Sequence, residues 1–436
     1  MKKQARFIIA APTSNAGKTS ISLGLMRALL NRDKKVQAFK CGPDYIDPKF
    51  HELATEKPSF NLDLIMMPET HVQEVFETHS EDADAVIVEG VMGMFDGAQR
   101  SQGSSAEISK VLNVPVVLVV NAKSVAYSVA PLLHGFKTFD PSVEIAGVIF
   151  NKVNTESHFR FLKEACEDVE IECFGYMKNL SQVEIPSRHL GLSIAELDQY
   201  DSVIDELAKG IENTVDLNAL LNATTIDVDE RTKEANMNAS KLKIAIGKDE
   251  AFNFIYAQNL IQLQQQGDLT FFSPLTDKEI PTCDLLYLPG GYPECYLEQL
   301  SANTSMKTSI LEYARQGGKI LAECGGFMYL GESIEDEAGN FHEMVGALKS
   351  ITSMKKRKMH LGYRKISLEG EELIGHEFHY SSLTHSEVNT VGETKNIRDE
   401  NVPMQLFKEK GILASYHHFY FGTEVQFQRI YKWITQ

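Results

Sequence analysis

The sequence predicts an α/β protein of two domains, each a largely parallel sheet covered by helices. Three observations lead there. The chain has 436 residues, too many for one ordinary domain. Its first half alternates short β-branched segments, apolar on both faces, with helical patterns, as strands buried between helix layers must be. A polar stretch then interrupts the alternation, and a second α/β pattern begins after it.

In the first half the expected strands are 6–11, 35–40, 85–89, 114–121, 145–151 and 172–176, with helices at 19–31 and 156–167 among those between them. This is the pattern of a doubly wound sheet, whose ligands sit at the carboxyl ends of the strands. From Asp216 to Lys241 the chain is rich in Asn, Thr, Asp and Glu and reads as a linker. The second pattern starts at 243–246 and continues at 285–288, 319–321 and 412–415. The expected domains are therefore 1–215 and 242–436, joined by 216–241. There is no internal repeat and no low-complexity tract.

Composition narrows the function classes. With 43% hydrophobic and 24% charged residues the chain is of ordinary globular type, and its net charge of −17 argues against nucleic-acid or anionic-membrane partners. One segment opposes that charge: Lys355, Lys356, Arg357 and Lys358 are consecutive. They read either as a solvated basic loop or as a rim that attracts a small polyanion. Six cysteines without Cys-x-x-Cys spacing argue against a disulfide framework and against structural zinc, which fits a reducing cytoplasm. The apolar stretch after Lys2-Lys3 is too short for a signal peptide and runs straight into a glycine loop. The longest strongly apolar run, Val114–Val120, is far below the ~20 residues that span a bilayer, so no transmembrane helix is expected.

That glycine loop is Asn15-Ala16-Gly17-Lys18-Thr19, placed after the first strand and opening a helix. Backbone N–H groups in such a loop cradle phosphates, Lys18 neutralises their oxygens and the Thr19 hydroxyl suits Mg²⁺. This makes the first domain P-loop NTPase-like, although Pro12 stands where the usual motif has its first glycine. Two further loops follow strands and should open onto the same crevice: one from Lys40 through Asp44, Tyr45 and Asp47, and one beginning at Glu89. Asp44, Asp47 and Glu89 are hard oxygen ligands suited to Mg²⁺ or its water shell; acids at such places also cap helices and bind turn amides. Asn151, after the fifth strand, either recognises the nucleotide base or forms a turn.

In the second half, Leu321-Ala322 leads through Glu323 to Cys324, followed by Gly325-Gly326. An isolated cysteine in an apolar stretch is usually a small buried hydrophobe. Glycines beside it permit a strained turn that exposes a thiol to a carbonyl. Upstream lies Pro289-Gly290-Gly291-Tyr292-Pro293-Glu294, and downstream His417-His418. These are parts of a glutamine-hydrolysing site: His418 takes the thiol proton, and Cys324 attacks the side-chain amide. The N–H groups of Gly291 and Gly325 stabilise the oxyanion, at roughly 3 kcal/mol per donor. His417 and His418 point to opposite faces of a strand, so only one can be the base.

Together these segments resemble the cobyrinate a,c-diamide synthase family of cobalamin biosynthesis over nearly the whole chain. The resemblance is carried by the Lys18-Thr19 loop, Gly42-Pro43-Asp44-Tyr45-Ile46-Asp47-Pro48, Val88–Gly93, Arg188-His189-Leu190-Gly191-Leu192, Leu288–Glu294, Glu323–Gly326 and Gly375–Tyr380. It implies a dethiobiotin-synthetase-like domain followed by a class I glutamine amidotransferase domain. It implies amidation of the a and c carboxylates of a corrinoid with glutamine, ATP and Mg²⁺, one amide at a time. Lys18, Thr19, Lys40 and Asn151 would then serve the nucleotide, and Thr19, Asp44 and Glu89 the metal. Asp44, Asp47 and Glu89 would take part in acyl-phosphate chemistry, while Tyr45, Arg188 and His189 would hold the substrate. Many amidotransferases of this class carry an acid two residues after the histidine, where this chain has Tyr420. The third member of the triad comes either from elsewhere or from a backbone carbonyl.

A carboxylate at neutral pH repels nucleophiles, so phosphoryl transfer must precede attack by ammonia, which should pass directly between the domains before it protonates. The same motifs fit cobalt-free hydrogenobyrinate or nickel-sirohydrochlorin as substrate. A more distant alternative is a nucleotide-switched binding protein with an inactive amidotransferase appendage. Intact Cys324 and His418 argue against it.

Overall fold

A computed structural model of the chain describes residues 2–179, 199–228, 242–403 and 406–436. They fall into two compact units, the first containing the described residues through 228 and the second those from 242.

The first unit is a sheet of β1 (Lys2–Ala10), β2 (Val36–Cys41), β3 (Phe60–Leu62), β4 (Ala85–Glu89), β5 (Val116–Asn121), β6 (Ile145–Asn151), β7 (Cys173–Tyr176) and β8 (Thr225–Val228). Strand order is β3-β2-β4-β1-β5-β6-β7, all parallel, with β8 antiparallel to the start of β1. Successive strands run one way from β1 and then the other, so the switch point lies at its carboxyl end. The central strands are buried on both faces: Phe7, Ile8, Ile9, Val86, Ile87 and Val88 have no exposed surface. Helices α1 (Lys18–Leu30), α2 (Asp47–Thr55), α3 (Glu69–Ser80), α4 (Ser105–Leu112), α5 (Val129–Phe139), α6 (Glu156–Asp168), α7 (Asp201–Thr214) and α8 (Leu217–Thr224) cover it.

One expectation is corrected here. The segment 217–228, read as part of a linker, folds as α8 and β8. Its polarity misled because α8 is amphipathic. Leu217 and Leu220 are buried while Asn218 and Asn222 face outward, and Asp216 caps the helix through Asn218 and Ala219 N–H at 3.1 and 2.9 Å.

The second unit contains β9 (Leu242–Gly247), β10 (Phe252–Phe254), β11 (Gly267–Phe272), β12 (Leu285–Leu288), β13 (Gly290–Gly291), β14 (Lys319–Glu323), β15 (Ser333–Glu335), β16 (Phe341–Glu343), β17 (Ser350–Ser353), β18 (His360–Leu368), β19 (Glu371–His379), β20 (Ser382–Ser386), β21 (Thr390–Val391), β22 (Glu393–Asn396), β23 (Leu406–Glu409), β24 (Ile412–Ser415) and β25 (His417–Phe419). Its main sheet, β11-β9-β12-β14-β24-β23-β21, is parallel except for β23, which pairs antiparallel with both β24 and β21. Alternate residues feed two cores. Leu286, Leu288, Ile320 and Ala322 enter one, and Leu285, Tyr287 and Leu321 the other. Helices α9 (Ala257–Gln266), α10 (Leu297–Ala302), α11 (Thr304–Arg315), α12 (Gly325–Leu330) and α13 (Glu424–Thr435) complete the unit. A separate antiparallel sheet, β22-β18-β19-β25, carries both neighbouring histidines on its terminal strand.

No helix among the described residues is long and apolar enough to cross a membrane.

Candidate active sites

In the first unit the loop after β1 turns through Asn15 (φ 62°) and Gly17 (φ 97°) into α1. A side chain at Gly17 is excluded twice over, by its left-handed backbone and because a Cβ there would lie 1.9 Å from Asn151 Nδ2. Helix α1 has no side-chain cap and no acid in its first turn. Its first N–H groups and helix dipole are therefore suited to an anion. Lys18 Nζ donates to the Met92 carbonyl. Asn151 donates from Nδ2 to the Ala16 carbonyl at 3.0 Å and accepts from Lys152 N at 2.8 Å. These bonds brace the loop with one amide N–H and one oxygen lone pair, and a base contact through the second N–H is compatible with them.

Glu89 is the hub of this site. It ends β4 beside Ile9 of β1 and Lys40 of β2 in the sheet register, and it is fully buried. Its Oε1 accepts from the Thr19 hydroxyl at 2.7 Å and from Lys40 Nζ at 2.8 Å. Its Oε2 accepts from His51 Nε2 at 2.9 Å, while Nδ1 of that ring meets the Ser59 hydroxyl at 3.0 Å. A proton on Nε2 lets the ring donate to this carboxylate. Burial pushes the Glu89 carboxyl up, but Lys40 and then His51 outweigh it and hold it well below the usual range. His51, on α2, was missed by sequence reasoning because beside Phe50 and Ala54 it reads as an interior helix position.

Lys40 also pairs with Asp47 at 2.5 Å. Asp44 Oδ1 accepts from the N–H groups of Ile46 and Asp47 at 2.8 and 3.0 Å, so one of its oxygens fixes the start of α2. Tyr45 is buried in the same loop. Thr19 bonds Glu89 and Asp47 reaches Glu89 through Lys40, so hard oxygen groups of the kind Mg²⁺ takes lie at these strand ends, but among the described residues the three carboxylates do not converge on one point. Arg188 and His189 lie outside the described residues.

In the second unit β14 delivers Cys324 into a sharp turn, φ 45° and ψ −103°, before α12. This is a strained strand-to-helix turn, and the thiol it carries is buried. Cys324 N donates to Ser415 O at 2.7 Å, and Gly326 N to Pro289 O at 3.0 Å, which ties the turn to β24 and to the glycine segment. A Cβ built on Gly290 would lie 2.2 Å from His418 Cε1 and 3.3 Å from Cys324 Cβ, so imidazole and thiol side chains converge there. A Cβ on Gly325 would lie 3.1 Å from Gly291 N, which places the two expected oxyanion glycines against each other. The thiol itself meets Phe378 O at 3.7 Å.

Burial favours the neutral form of both the Cys324 thiol and the His418 imidazole. Burial, with Glu294 adding to it, pushes the Cys324 thiol well above its usual value. Burial, with His376, His379 and His417 adding to it, drives the His418 imidazole well below its own. The arrangement suits proton transfer during attack, not a standing thiolate. His417 instead meets Ser415 Oγ through Nδ1 at 2.7 Å, and burial drives it down to about 3.

Glu377 is not placed to serve His418. In register it faces His417, while His376 faces His418. Its oxygens engage Arg364 at 2.5 Å and His379 at 2.9 Å. In the basic run, Lys355 pairs with Glu335 at 3.4 Å and Arg357 with Glu337 at 2.5 Å, which favours the solvated-loop reading.

Comparison with known proteins adds lineage to this geometry. Residues 7–192 match the model of the CobQ/CobB/MinD/ParA nucleotide binding domain, and residues 243–425 that of the CobB/CobQ-like glutamine amidotransferase domain. The chain is 41% identical over 426 residues to the cobyrinate a,c-diamide synthase of Caldanaerobacter subterraneus subsp. tengcongensis, covering 94% of each chain. It is 38% identical over 440 residues to that of Streptococcus sanguinis, covering 97% of each. It is 39% identical over 395 residues to that of Archaeoglobus fulgidus, covering 87% of this chain and 86% of the relative.

Proposed function

The chain belongs to the cobyrinate a,c-diamide synthase family, and from that premise we propose that it amidates the a and c carboxylates of cobyrinate, with glutamine as nitrogen donor and ATP as energy source. The observation that carries this reading is the pairing, on one polypeptide, of the Glu89-centred crevice at a phosphate loop with the convergence of Cys324 and His418 on Gly290.

In the second unit, His418 removes the thiol proton as Cys324 attacks the glutamine side-chain amide. The N–H groups of Gly291 and Gly325 take the oxyanion charge. Collapse expels ammonia, and water then releases glutamate from the thioester. In the first unit, the loop N–H groups of residues 15–19 and Lys18 orient ATP. The substrate carboxylate attacks the terminal phosphorus, ADP leaves, and a mixed anhydride forms. Ammonia attacks the acyl carbon and phosphate departs, leaving the amide. Thr19, Asp44 and Glu89 would hold Mg²⁺, which when bound screens the phosphate charge. Lys40 and Asp47 fix the shape of that crevice. Buried Tyr45 belongs to the same substrate-side loop, and Arg188 and His189 would hold unreacted carboxylates. Six free thiols agree with a cytoplasmic enzyme.

The test is mass spectrometry of corrinoid products with glutamine and ATP. The proposal expects two successive exchanges of OH for NH₂ on cobyrinate. Faster diamidation of hydrogenobyrinate or nickel-sirohydrochlorin would move the substrate assignment, and no ATP-dependent exchange on any of them would refute the reading.

A further inference from the structure

Glu323 directly precedes the nucleophile and is almost fully buried, 1% exposed, among the apolar side chains on its face of β14. A carboxyl there is costly unless its oxygens are bonded. Both are. Oε2 accepts from the Tyr287 hydroxyl at 2.7 Å, and Oε1 accepts from the backbone N–H of Phe419 at 2.9 Å. Tyr287 lies on β12, which leads through Leu288 and Pro289 into the Gly290-Gly291 turn. Phe419 immediately follows His418. One side chain therefore touches the strand of the oxyanion turn and the strand of the base, while its own strand carries the thiol.

These connections cross between sheets. Nucleophile and oxyanion turn hang from the main parallel sheet, whereas His418 sits on β25, the terminal strand of another sheet. On one edge β25 is held by β19, in the register His376 to His418. Toward the main sheet, Glu323 supplies the acceptor that a further strand would supply. The position where an acid would orient the histidine directly holds Tyr420, whose ring packs 5.8 Å from that of Tyr256.

We propose that Glu323 is the positioning residue of the thiol site, a carboxyl that fixes the distance between Cys324 and His418 by joining β12, β14 and β25, and so replaces the acid missing beside the histidine. The inference rests on the reading of Cys324 as the glutaminase nucleophile. Burial pushes this carboxyl up to about 8, only partly opposed by the Tyr287 and Phe419 bonds. The tether needs an acceptor toward Phe419 N–H, which both protonation states provide. A glutamine keeps that acceptor and donates to the Tyr287 oxygen; an alanine keeps neither contact.

The experiment measures glutaminase kcat and KM in the full chain for E323A, E323Q, Y287F and C324A, with ammonium-driven amidation as a check on the other site. E323A should lose about 10²-fold in kcat, the scale of a ~1 Å misplacement, with KM for glutamine little changed. E323Q should recover most of that loss, and Y287F should lose a smaller factor in kcat alone. A folded E323A enzyme with wild-type kcat overturns the proposal, and so does an E323Q enzyme no better than E323A. If E323A does not fold, Y287F decides, and an unchanged kcat overturns the tether. If C324A keeps glutamine-driven turnover, the underlying reading of the thiol fails instead. Loss in C324A with no effect of E323A or Y287F sinks only the positioning role.

Discussion

Gly290→Ala tests the thiol site with one methyl group. Gly290 does not have the left-handed backbone that would itself exclude alanine, so the perturbation is steric. The added Cβ would lie 2.2 Å from His418 Cε1 and 2.9 Å from its Nδ1. Carbon atoms pack at about 3.5 Å, so the ring must retreat by about 1.3 Å or the turn must open by as much. His418 has no exposed surface into which it could swing freely. A displacement of that size costs about 10²-fold in a rate that depends on a positioned base, or about 2.7 kcal/mol in barrier. The assay compares glutamine-driven with ammonium-driven amidation. G290A should lose the first by about that factor and keep the second. Gly135→Ala is the control. It sits inside α5, a Cβ there meets nothing within 4 Å, and the change should leave both activities intact while adding roughly 0.5–1 kcal/mol of stability. A G290A enzyme that hydrolyses glutamine at the wild-type rate would refute the claim that His418 and Cys324 work against this glycine.

Three further outcomes are expected. His51→Ala removes the partner of Glu89 Oε2 and should lower ammonium-driven, ATP-dependent amidation about 10–100-fold with a raised Mg²⁺ requirement, glutaminase activity being unaffected; an unchanged Mg²⁺ titration would contradict it. Glu377 is pushed up by burial, but His379 and Arg364 outweigh this and bring it to about 2, against an ordinary 4.5. A depressed carboxyl stabilises the fold fully above its unfolded value and loses that as pH falls through its folded one. The stability gap between wild type and E377Q should therefore be roughly 2–3 kcal/mol near pH 7 and narrow steadily below about pH 4.5, read by denaturant melts; a gap independent of pH removes the argument. Finally, iodoacetamide mapping by mass should find exposed Cys295 modified well before Cys324, whose proton burial retains.

What could be read without coordinates follows a physical rule. A buried parallel strand must be apolar on both faces, so the first polar residue at its end stands out. Glu89 was visible for that reason and Cys324 through the glycines that follow it, and the strands 85–89 and 145–151 emerge with the expected ends. Amphipathic elements were harder. α8 hid in a polar stretch, and the long hairpin of β18 and β19 went unseen because charged residues such as Arg364, Lys365, Glu371, Glu372 and Glu377 interrupt its apolar pattern. For the acids, residue type was legible and partner was not. Asp44 reads as ligand or turn-former, and the structure shows one of its oxygens binding Ile46 N and Asp47 N. His51 and Glu323 are invisible in principle, since each acts through a group on an element far away in sequence.

This last class explains the chemistry best. Each unit carries a buried carboxyl with both oxygens engaged: Glu89 by Thr19, Lys40 and His51, and Glu323 by Tyr287 and Phe419. Their environments separate their roles. A cation and an imidazole keep Glu89 charged. Glu323 has only neutral donors, and burial lifts it toward protonation. A charge in that second position would sit beside Cys324 and oppose the thiolate that forms during attack, so a neutral tether is the better companion for a nucleophile that must become an anion. The same acid residue type thus serves as an electrostatic anchor in one unit and as a geometric one in the other, and the difference lies in whether Lys40 has a counterpart within reach.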